Sequence, residues 1–154
     1  MTTKKTKTQR NREEYRRRTA TVAGILANRL CQNGEHRRLP RSMARVLGEA
    51  LAERHPEVTL DNVRAYDVDH RVPVSTYLFE AGGSFEGTED PLFIECHSLE
   101  NLHLIPRDAN RMRWDYLCQA EKDGLVDLGS VDSVREFLGE FDQPTDWFEV
   151  HSMT

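Results

Sequence analysis

A chain of 154 residues has room for one domain with a core of moderate size. Its 38% hydrophobic and 31% charged residues suit a folded protein with much solvated surface and argue against a wholly disordered chain. No apolar run approaches the roughly 20 residues that cross a bilayer, nothing resembles a signal peptide, and the net charge of −5 at first argues against a nucleic-acid partner.

The distribution of charge reverses that last impression. Residues 1–45 carry thirteen Lys and Arg against three Glu, a net +10, which leaves −15 for residues 46–154. A basic arm of this kind suits a phosphate backbone, and Arg16, Arg17 and Arg18 form its densest run. The plain alternative is a solvated terminus. The three cysteines, Cys31, Cys96 and Cys118, are 65 and 22 positions apart. They outline neither a disulfide framework nor a zinc ribbon, so a reducing, cytoplasmic setting and no structural zinc are expected.

In chain order, residues 1–10 read as a basic flexible tail. From about Asn11, a candidate N-cap, a helix is expected through Val22, Ile25, Leu26 and Leu30, with Gly34 as its stop. Residues 35–39 read as a loop. Pro40 then opens a second helix whose stripe is Met43, Val46, Leu47, Ala50 and Leu51, ended by His55-Pro56. A helix-turn-helix reading of the pair is weak, because the connection exceeds that motif's three or four residues. Residues 58–74 alternate and carry β-branched side chains, so a strand is expected to lead into Asp69-His70 and bend at Pro73. Residues 80–95 read as an acidic surface loop.

Residues 101–105 alternate again. Asp108 is a candidate cap for a helix reaching Lys122, with Gly124 as its stop. A last helix is expected over 131–141, capped by Ser130 or Asp132, with Val134, Phe137, Leu138 and Phe141 inward and Trp147 and Phe148 folding back. The expected boundaries are 1–10 for the tail, 11–57 for a basic helical segment, 58–124 for a central core and 125–154 for a closing helix and tail, in one compact domain overall.

The chemistry concentrates in the centre. His70, whose imidazole titrates near neutrality, can take a proton from water. Asp69 and Asn110 offer hard oxygen ligands for a divalent cation such as Mg²⁺ or Mn²⁺. In an extended segment Asp69 and His70 point to opposite faces, so a local twist has to let both serve one phosphate. His103 reads as a supporting or surface histidine, His97, four residues before Asn101, as a surface histidine with lining the site as its alternative, and Asp67 as either a supporting carboxylate or a solvated strand residue. Trp114 and Leu117 read as packing against the hairpin.

The run Tyr66-Asp67-Val68-Asp69-His70-Arg71-Val72-Pro73, with Asn101 and then Asn110 nine positions later and Arg113 beyond, resembles the HNH (His-Me finger) nucleases. The similarity is greatest to the HNH domain of the RNA-guided CRISPR nucleases. It covers about a third of the chain. One departure is the 31-residue separation of His70 and Asn101, filled by the acidic stretch 80–95, which would be a lid or a partner-binding insertion.

The resemblance implies an α+β fold, a ββα-metal core with two helices before it and one after. It also implies a hydrolase that cleaves DNA, double-stranded by expectation, one strand at a time, leaving a 5′-phosphate and a 3′-hydroxyl. Asp69 and Asn110 would be metal ligands for one Mg²⁺, with Mn²⁺ as substitute. His70 would be the general base, and Asn101 would orient it and steady the loop. Arg113, Arg71 and Arg111 would contact the phosphate backbone, beside Arg16, Arg17 and Arg18. Such small proteins are often carried by phages or mobile elements. Two other readings stand beside this one: an HNH-like module that binds DNA or a protein partner with little activity alone, and a non-specific DNA or RNA nuclease effector. The acidic carboxyl-terminal half would suit a protein partner or a homodimer, and no membrane is expected.

Overall fold

A computed structural model of the chain describes residues 3–32 and 38–139. Among these the protein is mixed α and β, with seven α-helices and one two-stranded antiparallel sheet. The chain divides into two compact units, Met1–Val63 and Arg64–Thr154.

The first unit is helical. Helix α1 spans Lys7–Arg18 and starts earlier than the sequence suggests, because Thr6 rather than Asn11 is its N-cap. The Thr6 hydroxyl accepts from Gln9 N, and the Gln9 side chain accepts from Thr6 N, a reciprocal box that satisfies two otherwise orphaned amides. Residues 7–10 are therefore helix and not part of a flexible tail. The single helix expected over 11–34 is in fact two. Thr21 breaks it by accepting from Gly24 N at 3.0 Å, which caps helix α2, Val22–Gln32. Gly34 and most of the 35–39 loop lie outside the described residues.

Helix α3, Arg41–Arg54, packs on α2. Its buried positions Ala44, Leu47, Gly48 and Leu51 recur at helical spacing. Val46, assigned to that stripe from sequence, is 64% exposed, since the buried face is centred one position away. Gly48 lets the two helices approach closely: a Cβ there would lie 2.6 Å from the Ala23 carbonyl oxygen. The strand expected from residue 58 does not begin there. Asn62 accepts from Thr59 N and donates to the Glu57 carbonyl, folding the segment into a turn.

In the second unit, β1 (Tyr66–His70) pairs with β2 (Leu102–Pro106) in register Asp67 to Ile105, Asp69 to His103 and His70 to Leu102. Two short strands need a packed partner to persist. Helix α6, Arg107–Lys122, follows β2 directly, buries Ala109, Arg113, Leu117 and Ala120, and contacts both strands. Its N-cap is Pro106 and not Asp108, which sits in the first turn. Gly124, at φ 74°, takes the left-handed conformation just past the helix end.

The long connection between the strands holds two helices where a bend and a loop were expected. Helix α4, Val74–Glu80, begins after Pro73 and buries Val74 and Tyr77 at i, i+3 spacing. Helix α5, Pro91–Cys96, has Pro91 in its first turn and Asp90 capping Leu92 N at 2.9 Å. Helix α7, Val131–Leu138, is capped by Ser130, as one of the two expected alternatives had it. A core of Tyr77, Cys96, Leu117, Val126, Val134 and Leu138, among others, joins these helices. Phe141, Trp147 and Phe148 lie outside the described residues.

Candidate active site

The two strands bring the motif's three segments to one region of the second unit. His70 ends β1 and is 8% exposed, and the backbone just past it is held by Asn101 at the entry to β2. The Asn101 side chain accepts from Val72 N at 2.8 Å. It donates to the Val72 carbonyl at 3.1 Å and to the Cys96 carbonyl at 2.8 Å. Its own carbonyl accepts from Arg71 N at 2.7 Å. All three side-chain bonds are thus to backbone. Asn101 thereby fixes the segment after His70 and the end of α5.

That second anchor matters because α5 delivers a residue whose sequence context suggests the surface. His97 is fully buried, and its Nδ1 lies 3.0 Å from His70 Nε2, with the two rings nearly perpendicular at 5.0 Å between centroids. Phe93, one turn earlier, stacks edge-on against His97 at 4.6 Å. The spacing of Phe93 and His97 at i, i+4 is the signal that could have found it, had the short helix been recognised inside a turn-rich stretch.

Asp69 faces away from His70 and takes different partners. Its Oδ2 accepts from His103 Nε2 at 2.7 Å and from Arg113 Nη1 at 2.9 Å. His103 is directly cross-strand from Asp69, so their meeting follows from register. His103 is 2% exposed and supports Asp69, the first of the two roles its sequence allowed.

Arg113 is a correction. It is 3% exposed, and its guanidinium serves Asp69 and the carbonyls of His70 and Arg71. A side chain enclosed in this way braces the strand end and does not grip a phosphate. Its planar fork, with several donors in fixed directions, suits the task of tying three acceptors together.

Asn110 sits in the first turns of α6 and donates from Nδ2 to Asp67 Oδ2 at 3.1 Å. Arg107 Nε donates to the other oxygen of Asp67 at 3.2 Å. The structure therefore links Asn110 to Asp67, and Asp67 is a supporting carboxylate, while Asp69 is held by His103 and Arg113. The donor set still suits a hard divalent ion. Both of these bonds to Asp69 fall on Oδ2, and Asn110 gives its amide nitrogen to Asp67.

Of the remaining basic candidates in this unit, Arg111 is exposed and Arg71 half-buried. Trp114 is 47% exposed, so packing against the hairpin does not describe it, and Leu117 is fully buried in the core with Val72, Tyr77 and Cys96.

In the first unit, Arg16 and Arg17 are exposed on α1, and Arg18 is ion-paired with Glu14 one turn back. That hydrogen bond and charge hold the Glu14 carboxyl below its usual range. A cleft of about 290 Å³ is lined by Arg17, Arg18, Arg41 and Arg45 with Asn28 and Glu49, a cationic concavity of a size to take a phosphate group. Among the described residues no helix is long and apolar enough to cross a membrane. The chain matches no protein-family model, and no curated protein or solved structure matches it.

Proposed function

We propose that this chain is an HNH endonuclease that hydrolyses a DNA phosphodiester bond with the help of one divalent metal ion, nicking one strand per site. Its ββα-metal core would be β1, β2 and α6. The observation that carries the reading is the Asn101 brace: a buried asparagine opening β2 that hydrogen-bonds both backbone groups of Val72, two residues beyond His70. The amide satisfies buried backbone groups on both sides of the site, and in doing so it fixes the segment that follows His70.

In this reading Asp69 and Asn110 hold Mg²⁺, or Mn²⁺ in its place. When bound, the ion neutralises charge on the scissile phosphate and on the departing oxygen. His70 takes the proton from the attacking water. His97, with its Nδ1 3.0 Å from His70 Nε2, holds the His70 ring in place. His103 and Arg113 hold Asp69 in its ionised form by donating to it. Arg71, Arg111, Arg16 and Arg17 are the cations that would meet the DNA backbone. A reducing cytoplasm and a phage or mobile-element setting belong to the same reading.

A second reading, an HNH-like module that binds DNA or a protein partner with little activity alone, is favoured by one observation. Asn110 bonds Asp67 and Asp69 is clamped by two donors, an arrangement that a metal would have to reorganise. Supercoiled plasmid incubated with the protein in Mg²⁺, Mn²⁺ or EDTA, beside His70→Ala and Asn110→Ala, separates the two. Metal-dependent conversion to open circles, lost in both variants, supports the nuclease. Plasmid that is retarded on a gel but never nicked refutes it in favour of the binding module.

A further inference from the structure

His70 and His97 meet a third ligand. The Cys96 sulfur lies with them so that His70 Nε2 or Nδ1, His97 Nδ1 or Nε2 and Cys96 Sγ supply one atom each within 4.8 Å of one another, and all three residues are buried. Tetrahedral zinc, with bonds of about 2.0–2.1 Å to nitrogen and about 2.3 Å to sulfur, sets its ligand atoms about 3.3–3.6 Å apart. The two histidine nitrogens already stand at 3.0 Å, and the sulfur lies within 4.8 Å of the ligand nitrogens, so the ligand atoms have to converge by side-chain movement. Two imidazoles and a thiolate are a borderline-soft set that selects Zn²⁺ over Mg²⁺. This set is distinct from the oxygen donors of Asp69 and Asn110. It also includes a cysteine outside any disulfide, whose place in the sequence outlines no zinc motif.

We propose that His70, Cys96 and His97 form a binding site for a soft divalent transition ion, Zn²⁺ as its representative, and that occupancy of this site withdraws His70 from proton transfer. The regulatory half rests on the nuclease reading, and the binding half does not. Coordination balances as follows. The ion takes the lone pairs of His70 Nε2 and His97 Nδ1 and the Cys96 sulfur, and the thiol proton leaves to solvent. Each imidazole enters neutral, with its hydrogen on the nitrogen away from the metal: the His70 proton sits on Nδ1 and that of His97 on Nε2. A His70 carrying hydrogen on Nδ1 and metal on Nε2 has no lone pair for a water proton. The Mg²⁺ ligands can remain in place while the base is disabled. Three protein ligands leave a fourth position for water, and His70, the one of the three with some exposure, gives the ion its side of entry.

The test joins binding, tautomer and activity. Zn²⁺ is titrated into the full chain against a chromophoric chelator, and Co²⁺ is used to look for a thiolate charge-transfer band. We expect one equivalent taken up, with affinity at least about tenfold weaker in Cys96→Ser and in His97→Gln, as for removal of a metal ligand or its partner. Circular dichroism checks that each variant is folded. Because both positions are buried, wild-type ¹⁵N imidazole shifts provide a readout that needs no variant. Zinc should move His70 to the Nδ1–H form with a metallated Nε2.

Plasmid nicking in Mg²⁺ is then followed with added Zn²⁺, each protein normalised to its own zinc-free rate. One equivalent should suppress the wild type and leave folded Cys96→Ser at its own rate. No uptake of zinc, or uptake indifferent to both substitutions with unchanged imidazole shifts, overturns the site. Uptake with the expected shifts but undiminished nicking overturns the regulatory half. Uptake with the expected shifts from a chain that never nicks upholds the site and counts against the nuclease reading alone.

Discussion

Replacing Asn101 by alanine tests the brace directly. The side chain is 6% exposed and makes three hydrogen bonds, to Val72 N, the Val72 carbonyl and the Cys96 carbonyl. Removing it strands one donor and two acceptors in a buried place. Each stranded group costs about 1–3 kcal/mol, less where water enters the space left behind. The expected loss is therefore about 3–5 kcal/mol from the second unit. Equilibrium urea unfolding reads it: with a slope of about 2 kcal/mol/M, the midpoint should fall by roughly 2 M. Asn101→Asp sharpens the argument. It keeps the acceptor for Val72 N but turns an oxygen towards two carbonyls, so it should be no more stable than the alanine variant. A loss below about 1 kcal/mol for Asn101→Ala, or an Asn101→Asp protein near wild type, would refute the reasoning.

Three further outcomes follow from the packing and charges. Gly48→Ala places a methyl 2.6 Å from the Ala23 carbonyl and 2.9 Å from Ala27 N. The first unit should lose about 1–3 kcal/mol as α2 and α3 are forced apart, measured by helical ellipticity in denaturant, and an unchanged midpoint would contradict the contact. Arg113→Lys can reach only part of the Asp69, His70 and Arg71 set. It should destabilise the second unit by about 2–3 kcal/mol, and a neutral result in the same unfolding assay would remove Arg113 from the brace. Burial pushes the Tyr77 phenol up to about 12, and the nearby Glu95 carboxylate adds to the shift while Arg135 opposes it. The folded pKa lies above the unfolded value, so the stability it reflects is complete below pH 10 and is lost as pH rises towards 12. Thermal unfolding should show a falling midpoint over that range in the wild type and a flatter profile in Tyr77→Phe. Identical profiles would refute the assignment.

Much of the second unit's frame is legible in the amino-acid sequence, for physical reasons. The alternation around Val68 and around Leu102 and Leu104 marks two strands, and the spacing from Asn101 into α6 leaves no room for another element. Where sequence failed, tertiary burial overrode local preference. Val74 is β-branched and closes the run read as extended, yet burial of Val74 and Tyr77 on one face makes the segment it opens α4. The site is legible as a set of residue types and only partly as a set of contacts. Asp69 meets His103 because register places them opposite. Asn110 and Arg113, by contrast, reach Asp67 and Asp69 respectively through the rotational phase of α6 against β1, which periodicity does not fix. The contact of His97 with His70 is hidden from the sequence for the same kind of cause, the two lying 27 positions apart across a connection whose path no local pattern describes.

The central claim is that His70 takes a proton from water. Its most direct test is chemical rescue of His70→Gly. The variant should nick supercoiled plasmid about 10²–10⁴-fold more slowly than wild type in Mg²⁺. Added imidazole should restore part of that loss in a saturable way, with no effect on the wild type. A variant that nicks at the wild-type rate would show that the base lies elsewhere. A silent variant that imidazole leaves silent, although folded and still binding DNA, would contradict the account.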